Sequence, residues 1–357
     1  MQKKLIAVAI AGLAAAPAFA VDTSVTLYGL VDAGYSWRGD NYDSTKANRQ
    51  GFDSGQLNGS RLGVRGVEEI TPGLKGKFQI EAGVKADTGG SNQGGLAWGR
   101  QSWVGLDFGA AEVRFGRQYT PQFNMYAGYI DPFGLGGVAE TNNVFTHIAA
   151  RANNAAYLTT PFFGDVFAVE AMYTKAAGLN GAPADEQVGN KDNDRYYSIA
   201  PKLKLGKNVF LMANYSDRKV KGAPASIQSW DIGGVVDFGA AKISAAYAQP
   251  KDGTLPPDAN GNKIKYNRFF VGATVPMGNF ALLASYAYSK DKNDLNEKAQ
   301  QGGLGGTYNL SPRTTLYGIY GQISTSDEVK GGYEVADATN SGFGYKKGAQ
   351  FGVRHTF

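Results

Sequence analysis

The stretch Leu74–Lys85 reads LKGKFQIEAGVK. Its alternate residues separate into two sets. Leu74, Gly76, Phe78, Ile80, Ala82 and Val84 are all apolar or small, whereas Lys75, Lys77, Gln79, Glu81, Gly83 and Lys85 are mostly charged or polar. Successive side chains of a strand point to opposite faces, so this period of two predicts a β-strand. In a soluble sandwich the apolar face meets a core and the polar face meets bulk solvent. In a membrane barrel the apolar face meets lipid and the polar face lines a wet interior. The rest of the chain must decide between them.

The same alternation recurs along most of the 357 residues. Val25, Leu27, Gly29, Val31, Ala33, Tyr35 and Trp37 share one face of the first such segment, and Phe351, Val353, His355 and Phe357 share one face of the last. Between them lie the sets Phe167 to Tyr173, Val209 to Tyr215, Ala241 to Tyr247, Phe269 to Val275 and Phe280 to Tyr288. Seven short connections are rich in Gly, Pro and Asn: 70–73, 108–111, 161–164, 205–208, 238–241, 276–279 and 309–313. These residues suit tight turns. Eight long polar connections alternate with them, near 38–58, 86–97, 119–150, 175–193, 219–226, 249–264, 289–300 and 325–346. Together they join sixteen strands, with short turns at one end and long loops at the other. A soluble sandwich has no reason to segregate loop lengths in this way, and an outer-membrane barrel does. Tyr35, Trp37, Tyr173, Tyr215, Tyr247 and Tyr288 collect at the long-loop ends of the apolar faces, and Phe108, Phe238 and Phe357 at the short-turn ends. Aromatic rows at two heights are the girdles expected at the two membrane interfaces. The reading is an all-β transmembrane protein, a 16-stranded antiparallel outer-membrane β-barrel with an aqueous lumen.

The ends and the composition agree. Residues 1–20, MQKKLIAVAIAGLAAAPAFA, join a basic start to an apolar run and an A-x-A site. That is the pattern of a cleaved secretory signal peptide, leaving 21–357 as a single barrel. No later run is long enough for a transmembrane helix. The chain has no cysteine and a formal net charge of only +5, so neither a disulfide framework nor a nucleic-acid partner is expected.

The connection 119–150, YTPQFNMYAGYIDPFGLGGVAETNNVFTHIAA, is unusually apolar, with Phe123, Tyr126, Tyr129, Phe133 and Phe145. Its charged residues are Asp131 and Glu140. Such a segment is expected to fold into the barrel and narrow it, an external flap being the alternative. By strand parity Arg61, Arg65, Lys75, Lys77 and Lys85 point inward with Glu81 among them, and Arg151 follows the loop. A basic wall of Arg61, Arg65, Lys77, Arg100 and Arg151 facing an acidic side of Glu81, Asp131 and Glu140 would set a field across a narrow water path, as fixed charges do in selective pores. Parity leaves Arg100 open: outward Val104, Leu106 and Phe108 put it outward, an outward Trp103 puts it inward, and a bulge near Gly105 would reconcile the two.

Taken in order, SVTLYGLVDAGY, SRLGVRGVEEITPGLKGKFQIEAG, GAAEVRFGRQYTP, RANNAAYLTTPFFG, TTLYGIYG and QFGVRHTF resemble the trimeric general porins of Gram-negative outer membranes, most closely the β-proteobacterial and neisserial group. The resemblance runs along essentially the whole mature chain. It implies a homotrimer set among outer-membrane lipid and lipopolysaccharide, an inward constriction loop, and a basic cluster facing that loop. Arg61, Arg100 and Arg151 match the cluster positions, with Arg100 inward, and Glu81 matches an acidic wall position. Phe357 resembles the C-terminal signal read by the barrel-assembly machinery. The function implied is passive diffusion of ions and small hydrophilic solutes, with no cofactor; the basic lumen cluster adds the expectation of a weak anion preference, which Glu68, Glu69 and Glu81 would oppose.

Two rival readings have less behind them. A barrel enzyme needs a nucleophile with a base in reach, and the chain has only His147 and His355. A sugar- or anion-specific channel would show an aromatic slide, for which Tyr28, Tyr196 and Phe270 are the inward candidates. The stretch GLGGVA at 134–139 mimics a dinucleotide fingerprint but lacks the strand before and helix after it that the motif requires.

Overall fold

In a computed structural model the described residues are 23–42, 44–45, 47–175, 194–219, 223, 225–255, 261–293, 297–326 and 344–357. The signal peptide expected over 1–20 lies outside them. Among the described residues seventeen strands make one antiparallel sheet. They are β1 (Ser24–Asn41), β2 (Arg49–Ser54), β3 (Arg61–Thr71), β4 (Leu74–Gly83), β5 (Gln101–Asp107), β6 (Glu112–Tyr119), β7 (Arg151–Thr159), β8 (Phe167–Lys175), β9 (Arg195–Leu205), β10 (Val209–Lys219), β11 (Ile227–Asp237), β12 (Lys242–Asp252), β13 (Ile264–Met277), β14 (Phe280–Asp291), β15 (Lys298–Asn309), β16 (Thr314–Thr325) and β17 (Tyr345–Thr356). β1 also pairs with β17, from Leu30 opposite Thr356 to Asn41 opposite Tyr345, which closes the sheet into a ring. β2 and β3 pair with the upper and lower halves of β1. They occupy one position in the ring, so the barrel has sixteen staves.

Alternation decides the two faces. Val25, Leu27 and Val31 are exposed on the outside of β1, while Asp32, Ser36 and Arg38, of the opposite parity, are buried inside. Val104, Leu106, Phe115, Ile199, Ile232, Val271, Leu304 and Phe351 continue the exposed apolar band. Among the described residues no helix is long and apolar enough to cross a membrane.

The first long connection is shorter than the sequence suggests. β1 runs to Asn41 and β2 begins at Arg49, so the loop is 42–48 rather than 38–58. The polar run Gly55–Ser60 is instead an inward bulge, and the buried Asp32 holds it. Its carboxylate accepts the backbone N–H groups of Gln56, Leu57 and Asn58 at 3.1, 3.3 and 2.8 Å and the Tyr317 hydroxyl at 2.7 Å. Three amides and a hydroxyl give the buried charge the partners it would otherwise lack.

The connection between β6 and β7 lies inside the barrel. Thr120 caps a short helix, α1 (Pro121–Met125), by accepting the Phe123 N–H, and a wider turn follows over Tyr126–Ile130. Tyr126, Ile130, Phe133, Val138, Val144 and Phe145 are almost wholly buried. They pack on inward residues of the far wall, among them Met212, Ala246, Phe270, Leu283, Ile319 and Ile323. Burying each large apolar side chain is worth about 1.5–3 kcal/mol, so the loop is a second layer rather than a loose flap. Its backbone comes very close to that wall: a Cβ on Gly321 would lie 2.2 Å from the Val138 carbonyl oxygen.

A polar bolt completes the attachment. His147 Nε2 lies 2.8 Å from Asp231 on β11, and His147 Nδ1 lies 2.7 Å from the Arg268 guanidinium on β13. Arginine can only donate, so Nδ1 accepts, Nε2–H donates and the imidazole is neutral. Asp231 also accepts the Tyr126 hydroxyl at 2.8 Å and the Gln122 amide at 3.1 Å, both from the loop. Burial holds the His147 imidazole below its ordinary value of 6.5, against the pull of Asp231.

Two outcomes are expected. Gly321→Ala should push the loop off the wall and lower single-channel conductance, whereas Gly318→Ala on the same strand, where a Cβ meets nothing within 4 Å, should leave conductance unchanged. The His147 value is lower folded than unfolded, so its contribution to holding the loop is complete above about pH 6.5 and is lost as pH falls. Open-channel current noise should therefore rise between pH 7 and pH 5, and His147→Gln should remove that pH dependence.

Candidate pore constriction

Side chains from the run of staves β3 to β9 meet the inner loop around one cavity. The cavity has a volume of about 730 Å³ and is lined by Arg61, Arg100, Arg151 and Lys202 on the wall, and by Tyr129, Leu135, Glu140 and Asn142 on the loop. The bulge adds Leu57, Asn58 and Gly59.

Tyr119, the last residue of β6, organises the basic side. Its hydroxyl accepts hydrogen bonds from Arg100 Nη2 at 2.5 Å and Arg151 Nη2 at 2.8 Å. The Arg151 guanidinium also sits over the Tyr119 ring, 4.4 Å from its centre, a favourable place for a cation. Phe123 stacks on the ring at 4.7 Å and so ties the start of the loop to the same wall. Arg61 is positioned by its own backbone, donating Nε–H to the Gly59 carbonyl at 2.9 Å.

Glu81 is part of the basic wall. It accepts Arg100 Nε at 2.7 Å and the Tyr28 hydroxyl at 2.9 Å, and it is almost fully buried. It orients Arg100 and offsets its charge. On the other flank Glu170 pairs with Lys202. Four cations and two carboxylates, Glu140 and Glu170, line the passage, with Glu81 behind them as a third. With all three carboxylates ionised the balance is positive by one charge, and burial, with the nearby Asp131, pushes the Glu140 carboxyl up to about 8, which makes the lining more positive still at neutral pH.

Arg100 points inward although Val104, Leu106 and Phe108 are exposed to the outside. Trp103 is also inward, under the Arg114 guanidinium at 4.5 Å. The register of β5 with β4 and β6 runs unbroken past Gly105, so the expected bulge there is absent. Arg100 escapes parity because it precedes the strand, in a bend where its N–H reaches the Glu81 carbonyl at 3.1 Å. The bulge lies on the next strand, at Gly116 with φ +131°.

The other residues proposed from sequence lie elsewhere. Lys77 makes ion pairs with Asp107 at 2.5 Å and Glu112 at 3.1 Å. Arg65 stands 5.3 Å over the Tyr28 ring. Both line a separate hollow nearer the short turns, with Gln79, Trp103 and Arg114. Asp131 is buried in the loop and accepts the N–H groups of Phe133, Leu135 and Thr141 at 2.9, 3.3 and 2.8 Å, so it shapes the loop instead of facing the passage. Of the acidic pair in the loop, Glu140 alone lines the cavity. Phe270 lies beneath the loop and Tyr196 is buried, so the inward aromatics form no continuous slide. Phe357 exchanges two backbone hydrogen bonds with Gly29, at 3.0 and 3.1 Å, and its ring covers that glycine so closely that a Cβ there would lie 2.3 Å from it.

Sequence reasoning missed Tyr119, Lys202 and Glu170. Tyr119 stands in the run RQYTP just before the loop, and an aromatic between a basic strand and a cation after the loop was the available clue. Lys202 and Glu170 face each other across β8 and β9, where Glu170 opposes Ala200 in the ladder, so neither residue points to the other in sequence.

Comparison with known proteins gives the same picture. The model of the Gram-negative porin family matches residues 7–328. An outer membrane porin of Bordetella pertussis and outer membrane porin protein 32 of Delftia acidovorans are each 31% identical, over the full length of both chains. The major outer membrane protein P.IA of Neisseria meningitidis is 26% identical over 97% of this chain and all of its own. Among solved structures, an anion-selective porin from Comamonas acidovorans superposes with a TM-score of 0.76 at 27% identity, covering 94% of this chain and 100% of that one. A family match over most of the chain, on a closed sixteen-stave barrel with a lined passage, makes this protein a member of the Gram-negative porin family, a channel for passive diffusion across the outer membrane.

Proposed function

We propose that the mature chain, residues 21–357, is a general diffusion porin whose constriction favours small anions. The observation that carries this reading is the Arg61, Arg100 and Arg151 cluster around Tyr119, facing the loop across the passage with a net positive lining. An anion entering there meets fixed cations, and a cation meets the same field with the opposite sign. One net charge about 6 Å away in water is worth about 0.7 kcal/mol, or roughly threefold in local anion concentration. The preference is therefore weak. It fades in concentrated salt, where the screening length falls to about 3 Å. The anion-selective porin to which the chain is similar supports this reading. Nothing in the mechanism requires a nucleophile, a metal or a cofactor; solutes move down their own gradients.

Three further assignments belong to the same proposal. The barrel works as a homotrimer, as a trimeric solved neighbour suggests. Phe357, closing the last strand on Gly29, is the terminal residue recognised by the barrel-assembly machinery. Lipid and lipopolysaccharide surround the exposed band.

The test is the reversal potential of refolded protein in a planar bilayer under a KCl gradient. Wild type should give an anion-favouring potential with stepwise conductance. Arg61→Ser and Arg151→Ser should each lower the chloride preference, by about threefold per charge removed. Lys77→Ser, outside the cavity and already paired, should leave it unchanged. A cation-favouring wild type would sink the arginine cluster as the selective element.

A further inference from the structure

The β8 to β10 side of the lumen carries a row of rings that anion passage does not use. The slide looked for at Tyr28, Tyr196 and Phe270 is absent, but three other aromatics make a short ledge beside the passage. Tyr129 is exposed on the inner loop and lines the cavity. It stacks on Phe210, the second residue of β10, with ring centres 4.4 Å apart and planes 30° apart. Phe210 meets Phe162 edge to face at 6.0 Å. Phe162 belongs to the short connection 161–164, and Phe210 follows the short connection 205–208. The row therefore leads from the passage to the short-turn mouth of the barrel.

Charge follows the rings in pairs. Lys202 and Lys204 are two residues apart on β9, so they share the inward face and their backbones are about 7 Å apart. Lys204 is the ladder partner of Phe210. Lys202 Nζ lies 5.5 Å from the centre of the Tyr129 ring and pairs with Glu170 on β8. Lys204 Nζ lies 4.1 Å from the centre of the Phe162 ring and 2.9 Å from Asp165. Each level of the ledge thus holds a ring, an ammonium group and a carboxylate. The arginine cluster is built differently, with three guanidinium groups to one carboxylate behind them, Glu81. The Asp165 side chain is 85% exposed. An ion pair so open to water is weak, and both partners exchange readily for a solute.

A simple anion is poorly matched to this surface. To reach either lysine it must displace a carboxylate and then remain beside it. A zwitterion takes both places at once, its carboxylate on the ammonium group and its own ammonium on the carboxylate, and the charges stay balanced. A ring on the same solute packs on the aromatic row.

We propose that the ledge is a subsite for aromatic α-amino acids, whose head group takes up Lys204 and Asp165 and whose ring packs on Phe162 and Phe210. Tyr129, Lys202 and Glu170 offer the same three groups one level nearer the passage. The lumen then has two lanes, a positive one for small anions along the arginine cluster and a balanced one for ring-bearing zwitterions along β8 to β10. The inference rests on the channel reading but not on the sign of its selectivity, because this solute carries no net charge.

The experiment records KCl current through the refolded mature barrel in a planar bilayer at neutral pH while millimolar solute is added. The probes are phenylalanine, alanine, phenylacetate and phenethylamine. Phenylalanine should reduce the current saturably. Alanine, which has the head group without the ring, should not, and phenylacetate and phenethylamine, each with half of the head group, should block more weakly. The double variant Phe162→Leu, Phe210→Leu should bind phenylalanine about fivefold more weakly, with the reversal potential under a KCl gradient unchanged. Lys204→Gln should reduce the phenylalanine block to that of phenethylamine. Equal block by alanine, or unchanged affinity in the double variant, would overturn the ledge. Equal block by phenylacetate would make it an anion site and overturn the zwitterion as its solute. If the double variant does not fold, Phe162→Leu in the turn carries the test alone. Absence of conductance in wild type would overturn the channel reading and this inference with it; with conductance present, the reversal potential reports on the arginine cluster and the block on the ledge.

Discussion

Lipid offers no hydrogen-bond partner to a backbone, and the rest of this protein answers to that fact. Every N–H and C=O at membrane depth must be satisfied within the chain, so a sheet that enters the bilayer has to close. Here closure is the pairing of β1 with β17. Once the ring is closed, one side of every strand faces lipid and the other faces its own interior. The strict alternation of LKGKFQIEAGVK follows directly. So does the sorting of loops, because the ends of the ring are the places where irregular backbone can meet water.

A ring of this size would leave a wide lumen, and the interior is organised to fill part of it. The far wall, around Phe270, Leu283, Ile319 and Ile323, is apolar on the inside, an unusual choice for a surface facing water. The loop supplies the matching layer with Tyr126, Phe133 and Phe145. The near wall is left polar and charged. The passage therefore runs along one side of the barrel, between the arginine cluster and the loop. Asp32 contributes from a third direction by holding the bulge that brings Leu57 and Asn58 into the lining. Asymmetry of packing thus produces asymmetry of field.

Much of this was legible in the sequence because two-residue alternation is a local property. Strand faces, short turns and the inward course of an apolar loop depend on residues close together in the chain. Where the reading failed, the determinant was tertiary. The polar run after Asn48 looked like loop because nothing local says that Asp32, on another strand, will gather its amides. Lys77 looked like part of the filter because parity gives the direction of a side chain and not its height or its partners, and Asp107 and Glu112 arrive from neighbouring strands. Asp131 looked like a facing charge because its three amide donors come from a fold of the loop that no periodicity announces. Arg100 shows the limit of parity itself: a residue one step before a strand is free of its rule.

The terminal contact has a consequence for how the molecule is made. Thr356 lies opposite Leu30, and Phe357 bonds Gly29, so the seam joins residues separated by nearly the whole chain. Contacts of such separation are slow to form, because the ends must meet before they are rewarded. All the other ladders except those at the seam join near neighbours and can zip in order as hairpins. The seam cannot, since its second edge does not exist until β17 has been delivered. Until then β1 carries an open edge that lipid will not accept. The barrel is consequently a structure that closes in one step, when β17 reaches β1, with the Phe357–Gly29 contact as its clasp.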